Sequence, residues 1–139
     1  MKQLKPLVVD VDKVKPLELG GVYDSKMILD EVITQREGVI QMNHGTVKPR
    51  VTLGGDLHDQ DEIYYILSGH GKLKLGDDVI DIKPNMVIFI PAGVFHALDN
   101  SGSDEEMTLL TFWKDAKYND TYVKRVELWG KSFKTIDED

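Results

Sequence analysis

The sequence predicts an all-β domain, either a sandwich or a closed barrel. Two observations carry that expectation. From residue 39 onward, short runs of branched and aromatic residues recur at near-regular spacing, and turn-forming residues bound each run. No internal repeat, low-complexity tract or linker interrupts them, and 139 residues suffice for one core but not comfortably for two. A single domain over residues 1–139 is therefore expected.

The opening third is the least regular. Val8, Val9, Val11 and Val14 suggest a short extended segment, and Pro6 and Pro16 argue against a long helix there. Met27-Ile28-Leu29 and Val32-Ile33 predict another strand or one helical turn. Strands are then expected at 39–43, 47–53, 63–67, 73–75, 79–82, 86–90 and 107–112. Leu75-Gly76-Asp77-Asp78-Val79 reads as a hairpin turn, because Gly and Asp tolerate the positive φ such turns need. Asn100-Ser101-Gly102-Ser103-Asp104 is a second polar turn. Beyond Asp115, the aromatics Tyr118, Tyr122, Trp129 and Phe133 continue from Trp113 into a polar stretch. Such a composition can bury surface, so this segment is expected to pack over its own barrel. A subunit contact or a wall over the pocket mouth is the alternative. Only residues 137–139 are expected to fray.

Composition removes several function classes. Lys and Arg number 17 against 24 Asp and Glu, a formal charge of -7, which disfavours nucleic acid or an anionic membrane surface as partner. There are no cysteines, so disulfides, thiolate catalysis and zinc-thiolate sites are ruled out. The start is not a signal peptide and no apolar run is long enough to span a bilayer, so a cytoplasmic location is expected. Neither a glycine-rich phosphate loop nor a Gly-x-Ser-x-Gly elbow is present.

Two polar clusters remain: Asp56, His58 and Glu62 on one side, and Pro91-Ala92-Gly93-Val94-Phe95-His96 on the other. On a strand starting at Glu62, Glu62, Tyr64 and Ile66 share one face, and Tyr65 takes the opposite one. A carboxylate inside a barrel needs a cation or several donors. The Pro and Gly before His96 fix a tight turn that re-aims this imidazole inward. Two neutral imidazoles and a carboxylate form the facial pattern that suits non-haem Fe(II); Zn, Mn, Ni and Co fit the same ligands. Asp56 is a fourth ligand or a hydrogen-bond acceptor for a ligating imidazole. Asp56, Asp59 and Asp61 also fit a plain solvated acidic loop. His44, beside Asn43 on an expected strand, reads as a satisfied strand histidine or a pocket residue, and His70 as exposed in a turn. Lys48 and Arg50 share strand parity, facing either the interior or, as edge-strand cations, the solvent.

From Gly54 to Asn100 the chain resembles the cupin superfamily, the RmlC-like, "cupin 2" type of conserved barrel. His58, Glu62 and Gly69 fall at the second histidine, the glutamate and the glycine of the family's first motif. Pro91, Gly93, His96 and Asn100 match its second motif, whose leading glycine is replaced by Asn85. At the first motif's first histidine this chain has Asp56. The resemblance implies a double-stranded β-helix, a jelly-roll barrel with its core at about residues 39–113 and extensions at both ends. It implies a divalent transition metal (Fe, Zn, Mn or Ni) on His58, Glu62 and His96, with Asp56 as an oxygen ligand or a three-ligand site without it. It also implies that Tyr64, at the offset of the catalytic base in some metal-dependent cupin lyases, moves a proton. The expected activity is isomerisation, epimerisation or elimination on a small oxygenated metabolite, such as a sugar derivative or a hydroxy or keto acid. An Fe(II) dioxygenase and a non-catalytic ligand- or metal-binding barrel are the alternatives. A homodimer is expected, since sheet edges need covering and family members commonly pair.

Overall fold

The computed structural model describes residues 6–114 and 119–138. Among the described residues, nine strands form two antiparallel sheets around one core. They are β1 (Leu17–Leu19), β2 (Tyr23–Leu29), β3 (Gln41–Val47), β4 (Glu62–Ser68), β5 (Gly71–Leu75), β6 (Asp78–Ile82), β7 (Val87–Ile90), β8 (His96–Asp99) and β9 (Met107–Trp113). The larger sheet has the order β1-β2-β3-β9-β4-β7, and the smaller one β6-β5-β8. This is the expected all-β jelly-roll architecture. Val47, Ile66, Leu73, Ile90, Met107 and Leu109 are fully buried, and these residues draw both sheets into one core. Strand parity follows expectation on β4: Tyr64 and Ile66 are buried, whereas Tyr65 points away and its hydroxyl donates to Asn85 Oδ1 at 2.9 Å. The hairpin at Gly76-Asp77 forms as read, with Leu75 opposite Asp78 and Gly76 at φ 60°.

Two expectations are corrected, the strand at 47–53 and the frayed C-terminal end, and two open readings resolve. The strand expected at 47–53 does not form: β3 ends at Val47, and Arg50 adopts a left-handed φ of 64° that no extended strand permits. Residues 48–61 instead run as a loop, touching the small sheet through isolated bridges at Thr52–Asp99 and Asp56–His96. Lys48 and Arg50 accordingly do not line the interior. Lys48 Nζ pairs with Asp24 at 2.8 Å and Arg50 Nε with Asp104 at 2.6 Å, both at the surface. Ahead of the expected core, β1 and β2 add two strands to the large sheet; Met27–Leu29 ends β2, and Val32-Ile33 form the one helical turn, α1 (Glu31–Thr34), so both forms read for this stretch occur. Finally, of the residues expected to fray, 137 and 138 are ordered with Ile136, and 139 lies outside the described residues. Residues 136–138 form a 3-10 turn, in which the Glu138 carboxylate accepts from Thr135 N at 2.6 Å and pairs with Lys131. The pull of Lys131 and of the Thr135 amide holds Glu138 down at about 2.

The aromatic tail folds over the barrel. Its helix α2 (Asp120–Trp129) begins where Asn119 Oδ1 accepts from Tyr122 N, and ends at Gly130 in a left-handed conformation. Arg125, 1% exposed, anchors it: Nη2 donates to Ser25 Oγ at 2.7 Å and to the Ser25 carbonyl at 3.3 Å on β2. Tyr118 lies outside the described residues. Among the described residues no helix is long and apolar enough to cross a membrane.

Candidate metal centre

His58 is set by the loop before β4, Glu62 by the first residue of β4, and His96 by the first residue of β8. The turn ahead of β8 is tied to that loop. Gly93 N donates to the His58 carbonyl at 2.8 Å, and Ala92 N to Asp61 Oδ1 at 2.9 Å. Asp56 and His96 exchange two backbone hydrogen bonds, of 2.9 and 3.0 Å, which hold the far edge of the site.

The side chains converge. Glu62 Oε1 lies 3.1 Å from His58 Nε2 and 3.3 Å from His96 Nε2. Asp56, His58 and His96 each present a ligand atom within 4.8 Å of the others. The His58 and His96 rings meet edge-on, with centroids 4.9 Å apart. Asp56 Oδ1 already accepts from Leu57 N at 2.8 Å, leaving its second oxygen free of that bond.

The hydrogen bonds on the far side of both rings fix what the centre can hold. His58 Nδ1 lies 2.9 Å from the Gln60 carbonyl, and His96 Nδ1 lies 3.0 Å from the Val94 carbonyl. A carbonyl only accepts, so each Nδ1 carries a proton, and in a neutral ring each Nε2 presents a lone pair. Two lone pairs then face one carboxylate oxygen, an arrangement that needs a cation or an added proton between them. A divalent ion fits: neutral imidazoles oriented through Nδ1–H and a converging carboxylate are the donor set such ions take. Without one, His96 carries the proton more readily than usual. Burial works to lower its pKa, but the hydrogen bond to Glu62, the Val94 carbonyl and the charges of Glu62 and Asp56 together raise it.

These groups line a cavity of about 510 Å³ that also exposes Tyr64, Tyr23, Ser25, Asn43 and Thr111. Tyr64 stacks edge-on against His96, at 6.0 Å between centroids. Burial, then the Glu62 charge, push its phenol well above the usual value, so it keeps its proton and can offer it as a hydrogen bond. Asn119 and Thr121 at the start of α2 also reach this cavity, so the tail both packs on the barrel and walls the pocket. A wider depression of about 670 Å³ around Lys72, Asp81 and Ser101 contains none of the converging groups.

His44 points away from the cavity. It pairs across strands with Lys26 and Leu110, and burial followed by the Lys26 charge lowers its pKa. His70 is exposed, as expected. Tyr23, Ser25, Asn43 and Thr111 were not singled out from the sequence as site residues. The available signal was alternation, since Gln41, Asn43, Gly45 and Val47 all take the buried face of β3.

The family described as the cupin domain matches residues 43–113, about half of the chain, and this chain belongs to it. The xanthan biosynthesis protein XanB of Xanthomonas campestris pv. campestris is 36% identical over 83 residues, which are 59% of this chain and 16% of that protein. The uncharacterized protein MJ1618 of Methanocaldococcus jannaschii is 26% identical over 127 residues, 88% of this chain and 98% of that one. This chain thus spans only about a sixth of the length of XanB but nearly all of MJ1618. Among solved structures, a predicted oxalate decarboxylase of Thermotoga maritima is similar with a TM-score of 0.69 at 20% identity, covering 78% of this chain and 98% of that one. The polyketide cyclase RemF of Streptomyces resistomycificus is similar with a TM-score of 0.68 at 20% identity, covering 78% and 79%. At such identities the likeness establishes the fold.

Proposed function

We propose that the chain is a metal-dependent cupin enzyme acting on a small oxygenated metabolite by isomerisation, epimerisation or elimination. The observation that carries this reading is the approach of His58 Nε2 and His96 Nε2 to the same Glu62 oxygen, at 3.1 and 3.3 Å, inside a cavity of metabolite size. His58, Glu62 and His96 would hold a divalent transition metal (Fe, Zn, Mn or Ni), with the free oxygen of Asp56 as a fourth donor. Such an ion supplies Lewis acidity, polarising a carbonyl or carboxylate oxygen of the substrate. The Gln60 and Val94 carbonyls keep both imidazoles in the tautomer that leaves Nε2 available. Tyr64, beside His96, holds a proton at its hydroxyl and is the group assigned to proton transfer.

The same two-histidine, one-carboxylate set favours a second reading, an Fe(II) dioxygenase. Anaerobic purification with metal analysis separates the readings. Wild-type protein is expected to hold near-stoichiometric metal, and His96→Ala and Glu62→Gln to lose most of it. Unchanged metal content in both variants would sink the ligand set. Iron with oxygen uptake on substrate addition selects the dioxygenase, whereas oxygen-independent turnover selects the isomerase or lyase. Ligand-induced stabilisation without turnover, across a broad metabolite screen, selects a binding barrel.

We also propose that two copies pair. β7 is an edge strand of the large sheet, and its Val87 and Phe89 are 63% and 56% exposed beside the half-exposed Ile63 of β4. An apolar edge of this kind is costly to leave uncovered.

A further inference from the structure

A line of hydrogen bonds runs from the buried guanidinium of Arg125 to the wall of the cavity. Arg125 Nη2 donates to Ser25 Oγ at 2.7 Å, Ser25 Oγ lies 2.5 Å from Asn43 Oδ1, and Asn43 Nδ2 lies 3.1 Å from Tyr23 Oη. The chemistry of its first member sets the direction of the whole line. A guanidinium has only donors, so Ser25 Oγ must accept from it, and the single Ser25 proton is left for Asn43. At 2.5 Å that contact suits O–H···O and is too short for N–H···O, so the Asn43 oxygen faces Ser25 and its amide nitrogen faces Tyr23. Tyr23 Oη is therefore an acceptor towards Asn43, and its own proton is not used in the line.

Nothing among the described residues receives that proton. Asn43 is the one hydrogen-bond partner of Tyr23 there, and Glu62 Oε1 is turned to the two imidazoles. The ring is also held in place. Tyr23 and Ser25 lie on β2 opposite Val47 and Gly45 of β3, and a Cβ on Gly45 would come within 1.9 Å of Tyr23 Oη. The absent side chain of Gly45 is what lets the phenol lie across β3, reach Asn43 and border the cavity. Burial pushes Tyr23 up to about 12, so the phenol keeps its proton at any working pH.

We propose that Tyr23 donates this proton as a hydrogen bond to a carboxylate oxygen of the substrate, with Arg125, Ser25 and Asn43 as positioning residues that fix the direction of donation. The inference deepens the proposed function, since it uses the same cavity. A carboxylate is favoured over a neutral acceptor for two reasons. Each bond in a line polarises the next, here starting from a cation, and a donor so polarised binds an anionic oxygen best. The residues that build the line, apart from Asn43, lie outside the segment matched to the family, so this subsite is carried by the N- and C-terminal extensions.

Calorimetric titration with malonate, and with its neutral diamide malonamide, tests the proposal on both Mn(II)-loaded and metal-free protein. Tyr23→Phe removes the donor. Asn43→Asp reverses the line, because the new carboxylate would take the Tyr23 proton itself. Both variants are expected to weaken malonate about tenfold or more, the scale of one hydrogen bond to a charged group. Malonamide should weaken far less, and metal content should not change. Gly45→Ala should give the same loss with the phenol intact but displaced. Wild-type protein that binds no malonate, or malonate affinity unchanged in Tyr23→Phe and Asn43→Asp, overturns the inference, as does an equal loss for both probes. If the protein takes up no metal while the Tyr23-dependent malonate ratio persists, the metal centre falls and the carboxylate subsite stands.

Discussion

At the scale of single residues, the pairing of Glu62 with two imidazoles makes a pH prediction whose sign depends on metal. In metal-free protein the His96 pKa is raised above its unfolded value, the Glu62 and Val94 contacts outweighing burial. Its contribution to stability is then fully present below the unfolded pKa of about 6.5 and is lost as pH rises through the folded pKa. A bound metal needs the imidazoles unprotonated, so its stabilisation grows over the same rise. The melting-temperature gap between metal-loaded and metal-free protein should therefore widen from roughly pH 5 to 8. In Glu62→Gln the metal-free slope due to His96 should flatten. A gap that narrows with rising pH would contradict this account of the centre.

At the scale of elements, Asn85 shows how a departure from the family motif is accommodated. It stands where the motif has glycine and adopts φ 70°, while its side chain accepts from Tyr65. Asn85→Ala should destabilise by about 1–2 kcal/mol, the cost of left-handed backbone on a residue without local compensation. Asn85→Gly should be near neutral in chemical denaturation, because relief of φ offsets the lost hydroxyl contact. β4 to β7 and β9 were legible from the sequence, because their apolar runs declare themselves. β2, β3 and β8 were blurred or missed for one physical reason. Their inward faces carry Ser25, Gln41, Asn43, Gly45 and His96, polar or small groups that build a cavity, so hydrophobic alternation is weak where the pocket lies. The four converging residues were readable because their spacing is local to two motifs. Tyr23 and Arg125 were not, because their partnership spans about a hundred positions and appears only when α2 docks on β2.

At the scale of the whole molecule, the exposed edge at β7 predicts association. Phe89→Glu places a charge on that apolar patch and should shift the protein from dimer to monomer in light scattering, with metal content unchanged. A wild-type monomer at working concentrations would remove the pairing proposal and leave the metal centre untouched. The centre itself joins the two sheets, since Glu62 belongs to the large one and His96 to the small one. His58 and Glu62 are four residues apart, but the loop that carries His58 is held by the turn ahead of β8. His96 lies a further thirty-four positions along, on β8, which pairs with β5. Contacts of that sequence separation form late, because loop closure precedes any reward. An ion held by all three groups would therefore act late, fastening two sheets that have already met.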